Sequence, residues 1–352
     1  MRISMLVIGF WLITSPLWGK IVFDSTRDGK TEIYTMNSTG GNQTRLTHNE
    51  ASDFFPTWSP SGRQIVFISK RDGNEEIYVM DADGNNQRNL THHPALESQP
   101  NWSPDGKQIA FSSTRDGEFN IYLMDTDGGN IRQLTRTTFS VSPRWSPDGK
   151  QIAFVAITEL GRQVYVMNAD GKHRWLVSKP RPNAWMHLGG WSPDGKQILY
   201  KGSIHGSVTD SFVVIATLGP RKRHEDVPIP KMDLTTVSWS GNGKSILFAG
   251  RKPGVTWDIK GGGKWDIYRF RLFDGQLIQL THHPRSDVAP REWNPRLPVA
   301  PQELAQTFWG RSNRTDTGIE GSGVNPIPLI PEPFKSYALE FVAVPFIKTG
   351  VH

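Results

Sequence analysis

An all-β fold, a six-bladed β-propeller of four-stranded antiparallel blades, is what the sequence predicts, and three observations predict it. The stretch Trp102-Ser103-Pro104-Asp105-Gly106-Lys107-Gln108-Ile109-Ala110-Phe111 recurs with small changes from Thr57, Arg144, Gly190 and Ser238, and in eroded form at Glu292-Trp293-Asn294-Pro295. Its tryptophans, Trp58, Trp102, Trp145, Trp191, Trp239 and Trp293, stand about 43 to 54 residues apart, the period of stacked or radially arranged supersecondary units. The two ends each hold half a unit. Lys20-Ile21-Val22-Phe23 lacks the hairpin that should precede it, and Val288 to Trp293 lacks the strand that should follow. The halves complete one another, so one blade is shared by the N- and C-terminal segments and the ring closes.

Within a unit the elements follow from local chemistry. Ser-Pro-Asp-Gly suits a tight turn, because Pro presets φ, Asp bonds its own backbone and Gly takes positive φ. A Trp-ended segment precedes it and an alternating Gln-Ile-Ala-Phe segment follows, which makes a β-hairpin. In the third unit strands are expected over 99–103, 108–113, 120–125 and 131–135. The third of these recurs as EIYTMN, EIYVMD, QVYVMN and DIYRFR. Asp81-Ala82-Asp83-Gly84 lacks the terminal Glu of a calcium loop and reads as a hairpin turn. The repeated tryptophans read as blade-packing anchors.

Before and after the repeats the chain changes character. Residues 1–19 carry Arg2 and the apolar run Ile3 to Thr14, too short to span a bilayer, and read as a secretory signal peptide. The propeller is expected over 20–299. Residues 300–352 are expected to be a flexible tail, with a short amphipathic stretch at 301–309 and a Pro-rich one at 326–333. Enlarged loops are expected at 202–210 and 251–264, and a charged excursion at 218–230. The chain has no Cys, 40 Lys+Arg against 34 Asp+Glu, and a net charge of +6, which calls for neither disulfides nor nucleic acid.

The combination of WSPDGKxIAF, SxRDGxxxIYxMD and a closing xxLT resembles the WD40-like (PD40) repeat of the TolB-type β-propellers, over roughly residues 20–299. The family's namesake has a separate α/β domain ahead of its propeller, and here the resemblance is confined to the propeller. A propeller is a scaffold that hosts many functions. The resemblance implies a binder, or, by analogy with related polysaccharide lyases that hold a metal with several His, an enzyme.

Function therefore has to come from the loops. Connections between second and third strands, and between blades, share one face, which gathers Arg27-Asp28, Arg71-Asp72 and Arg115-Asp116 with His48, His92-His93 and His282-His283. This face is the expected binding surface, near the channel mouth. Arg-Asp-Gly is also a good turn, and Thr-His-His-Pro also suits a crossing between blades. No nucleophile elbow, phosphate loop or His-Glu-x-x-His is present. The expectation is an exported, periplasmic or secreted, monomeric and non-enzymatic scaffold for a protein or glycan partner, without cofactor or metal and without membrane insertion after leader cleavage. The competing expectation is a metal-assisted lyase or hydrolase acting on an anionic polysaccharide.

Overall fold

The computed structural model describes residues 19–204, 210–252 and 264–293, and every regular element among them is a strand. The readings of residues 1–19 as a leader, Gly19 apart, of 300–352 as a tail, and of most of the two enlarged loops lie outside the described residues. Six four-stranded antiparallel sheets form, each ordered from the channel outward as first, second, third and fourth strand.

Blade 3 is representative: Glu97–Trp102, Gln108–Ser113, Asn120–Asp125 and Arg132–Gln133. The inner strand begins two residues before its predicted start, and the outermost strand is a two-residue fragment. The inner strands of blades 2 to 6 are Asp53–Trp58, Glu97–Trp102, Ser140–Trp145, Ala184–Trp191 and Asp233–Trp239. That of blade 1 is Asp287–Trp293, antiparallel to Lys20–Ser25 with Lys20 opposite Trp293. Each inner strand touches those of both neighbouring blades, so the six make an unbroken ring.

Two local devices repeat around it. At the first turn of blade 3, Ser103 Oγ donates to Asp105 Oδ1 at 2.6 Å and accepts from the Gln108 amide at 2.9 Å, while Gly106 sits at φ 70°. The same Ser–Asp bond forms at Ser146–Asp148 and Ser192–Asp194, with Ser240–Asn242 as the amide version. Further along, every inner strand carries a β-bulge against its second strand. In four blades the bulge holds a left-handed residue before proline: Phe55, Gln99, Ser142 and Ala289, at φ 51° to 60°. A bulge bends the strand and redirects the side chain that follows.

The core lies between blades. Second-strand residues such as Ile65, Val66, Phe67, Ile109 and Phe111 are fully buried. Phe111 stacks on Tyr122 at 5.8 Å within blade 3, and Trp102 and Tyr122 join Val66 and Ile68 of blade 2 in one cluster. Each such side chain contributes about 1.5–3 kcal/mol by leaving water.

The charged stretch at 218–230 corrects an expectation. Arg223–Asp226 is no loop excursion but the outermost strand of blade 5, with Thr217 opposite Arg223 and Val214 opposite Asp226. All four residues are exposed, and charge on an edge strand discourages pairing with another chain.

Closure rests on Trp293. Its indole Nε1 donates to the Pro60 carbonyl at 3.0 Å and its ring lies 6.4 Å from that of Trp58. Gly62, at φ 67°, has no room for a Cβ, which would come within 2.3 Å of that ring. Trp293→Ala is expected to lower stability by about 3 kcal/mol in urea titration.

Candidate binding face

The Arg-Asp-Gly loops are held from below by acids five or six residues ahead of each repeat tryptophan. Arg27 forms an ion pair with Asp287 at 2.9 Å, Arg71 with Asp53 at 3.1 Å, Arg115 with Glu97 at 2.9 Å, and Arg251 of blade 6 with Asp233 at 2.6 Å. The first three guanidiniums also lie over the third-strand tyrosines Tyr34, Tyr78 and Tyr122, at 4.5, 4.5 and 5.2 Å from the ring centres. Those tyrosines donate through their hydroxyls to Asp28, Asp72 and Asp116. Burial and these aspartates push each phenol above its ordinary range. The result is a bracket of inner-strand acid, loop Arg, third-strand Tyr and loop Asp.

Burial dominates at the acids. The Glu97 carboxyl is pushed up to about 7, with Arg115 and Ser113 pulling against that, and Asp53 is likewise raised by burial. The brackets occur in blades 1, 2 and 3, with the acid–Arg half in blade 6; the inner strands of blades 4 and 5 begin with Ser140 and Ala184 and carry no acid. The acids escaped sequence reasoning, though an acid ahead of the Trp in four units was a readable signal.

The histidines divide into two kinds. His93 and His283 are half-buried, and their Nδ1 atoms accept from the Ala95 and Arg285 amides, each at 3.1 Å. They brace the crossings between blades. His48, His92 and His282 are exposed on the same face, as are Asp28, Asp72 and Asp116 at their outer edges. The loops thus bring Arg27, Arg71 and Arg115 into brackets, and leave aspartate and imidazole edges to solvent. Among the described residues no three His, Asp or Glu side chains converge as a metal-holding group.

The interior where blades 4 and 5 meet carries a different chemistry. His187 on the inner strand of blade 5 faces Lys201 directly across the register. Burial lowers the Lys201 ammonium to about 7, and burial with the charges of Lys201 and Arg162 holds His187 well below the usual imidazole range. Arg162, 8 % exposed, lies over Phe139 and Trp185 at 5.3 and 5.4 Å.

A family profile described as the TolB beta propeller domain matches residues 13–184 and 49–240. No curated protein matches the chain. Among solved structures the chain is similar to TolB from Acinetobacter baumannii, with a TM-score of 0.67 and 19% identity over 78% of this chain and 66% of that one. It is also similar to a chain of a nidogen/laminin complex, at TM-score 0.60 and 10% identity over 79% and 99% of the two chains. A third is an oligogalacturonate lyase in complex with manganese, at TM-score 0.53 and 15% identity over 75% and 74%. At these identities the likeness shows the fold.

Two outcomes follow. Arg115→Ala strands the Glu97 carboxyl in the interior and is expected to cost about 3 kcal/mol by denaturant titration, most of it regained in the Glu97→Gln/Arg115→Met double variant. Lys201 holds its proton less tightly in the fold than in the unfolded chain, where the pKa is about 10.4. Its cost is therefore full below pH 7 and fades as pH rises toward 10. The rise in Tm on Lys201→Met is expected to be larger at pH 6 than at pH 10.

Proposed function

Because the chain belongs to the TolB β-propeller (PD40) family, we propose that it is a rigid display scaffold that binds a protein partner through the face bearing Asp28, Asp72, Asp116, His48, His92 and His282. The observation that carries this reading is the bracket. Arg27, Arg71 and Arg115 tie the loop bases to buried acids, and Tyr34, Tyr78 and Tyr122 hold the loop aspartates. A surface already fixed loses little conformational entropy on binding, so modest contacts suffice for affinity. Exposed aspartate and histidine edges favour a partner that offers cationic and hydrogen-bonding groups. The apolar segment Ile3 to Thr14 behind Arg2 supports export, to the periplasm or beyond. A glycan partner fits the same face.

A second reading, cleavage of an anionic polysaccharide with a metal, draws on the net charge of +6, on the inter-blade histidines and on the similar fold of the manganese-bound lyase. In that reading His92, His93, His282 and His283 are the residues that would hold the metal.

A photo-crosslinking amino acid at position 92 or 282, compared with position 61 on the opposite face, separates these readings in the exported full chain. Capture of one and the same protein from 92 and 282 but not from 61 is expected; capture from 61 alone contradicts the scaffold reading. Near-stoichiometric divalent metal that disappears when the four histidines are changed would establish the enzymatic reading instead.

A further inference from the structure

Two arginines enter the channel from opposite sides of the ring. Arg144 belongs to the inner strand of blade 4 and Arg291 to that of blade 1, three blades away in a ring of six. Each directly follows the proline of its strand's bulge, Pro143 or Pro290, after a left-handed Ser142 or Ala289. The bulge is what redirects these side chains. Both side chains are half-buried.

Their hydrogen bonding is incomplete. Arg144 Nη1 donates to the Pro143 carbonyl at 2.8 Å, but its Nε is shut off from solvent with no partner among the described residues. Arg291 Nη1 divides between the carbonyls of Gly189 and Val237, both at a long 3.3 Å. Neither arginine joins an ion pair among the described residues, where the arginines of the brackets all do. The carboxylate that acts on Arg291 is Asp24, which burial itself holds well above its usual range. At this level blade 5 offers the bare backbone of Gly189 and Gly190, and a Cβ on Gly190 would already reach within 4.0 Å of Arg144 Cγ.

An arginine does not shed its proton in a protein. Two enclosed guanidiniums that repel each other, lacking a full set of acceptors, are therefore strongly destabilising unless an anion joins them. Burial, and for Arg144 the charge of Arg291, pushes both below the ordinary guanidinium range. Blades 4 and 5 lack the bracket acids, and Arg162, which keeps its charge, adds positive potential on the same side of the ring.

We propose that Arg144 and Arg291 form an oxyanion site inside the central channel, holding a phosphate, sulfate or carboxylate group between their guanidinium forks. Planar forks match such groups with paired hydrogen bonds. The site lies on the channel wall, apart from the loop face, and stands whether or not that face binds a protein.

Thermal melts and calorimetry of the full chain test it, with sodium phosphate, sulfate or acetate against sodium chloride at equal ionic strength. Phosphate or sulfate is expected to raise Tm by several degrees over chloride. Arg144→Met and Arg291→Met are each expected to weaken binding at least tenfold, with Lys172→Met on the outer surface as the unchanged control. A shift with phosphate or sulfate alone assigns the site to inorganic oxyanions; an equal shift with acetate assigns it to carboxylates. Arg144→Lys, which keeps the charge without the fork, is expected to bind at an intermediate level and serves should the Met variants fail to fold. No shift over chloride for any of the three anions, or a shift that survives in Arg144→Met or Arg144→Lys at full size, overturns the proposal.

Discussion

Everything in this molecule depends on one antiparallel pairing, that of Asp287–Trp293 with Lys20–Ser25. Without it blade 1 would be a three-stranded sheet, the inner ring would open to an arc, and two strand edges would be left unpaired. The joining strand is also tied sideways. Glu292 takes an ion pair from Arg269 of blade 6 at 2.8 Å and a hydrogen bond from the Gly241 amide at 3.0 Å. Ser238 Oγ donates to the Pro290 carbonyl at 2.7 Å, and Trp293 reaches blade 2 through Pro60. A strand from the far end of the chain thus ties blades 6, 1 and 2 together.

Closure explains why polar residues divide so sharply by role. Once the inner strands are fixed, their first residues point where the second-to-third loops return, and an acid there pairs with an Arg two residues beyond the second strand in blades 1 to 3 and with its last residue in blade 6. The bracket then fixes the loop, and the side chains at its outer edge are presented rather than mobile. Where the acid is missing, in blades 4 and 5, the polar balance of the interior shifts toward positive charge. Face and interior are therefore distinct chemical environments made by one repeat: an aspartate and histidine rim, and, where blades 4 and 5 meet, the buried side chains of Arg162 and Lys201.

Much of the fold was legible in the sequence. The Ser-Pro-Asp-Gly hairpins form through the Ser–Asp bonds their composition implies, because the interaction is local. The split blade was legible because each terminus carried half of a repeat. The bulges were not, since a residue before proline favours extended backbone, and Phe55, Gln99, Ser142 and Ala289 take the left-handed region under tertiary constraint. Asp53, Glu97, Asp233 and Asp287 went unread because their partners lie 18 residues on, or at the other end of the chain. The Arg223–Asp226 strand looked like loop because its charges sit at an edge where no hydrophobic alternation is needed. On the expected face, the sequence could not tell the bracketed arginines from the exposed aspartates and histidines, because the buried acids that separate them lie on other strands. Arg144 and Arg291 were hidden in plain repeat positions, marked only by following a proline.

The most direct test of closure is amide hydrogen exchange of the full chain, resolved by residue. Amides of Lys20–Ser25 and of the inner strand Asp287–Trp293 should exchange as slowly as those of Gln108–Ser113 in the middle of the chain, since opening the joining strand would open the whole ring. Rapid exchange confined to 20–25 and 287–293, with blades 2 to 5 still protected, would show that the termini fray independently and that the ring does not depend on their pairing.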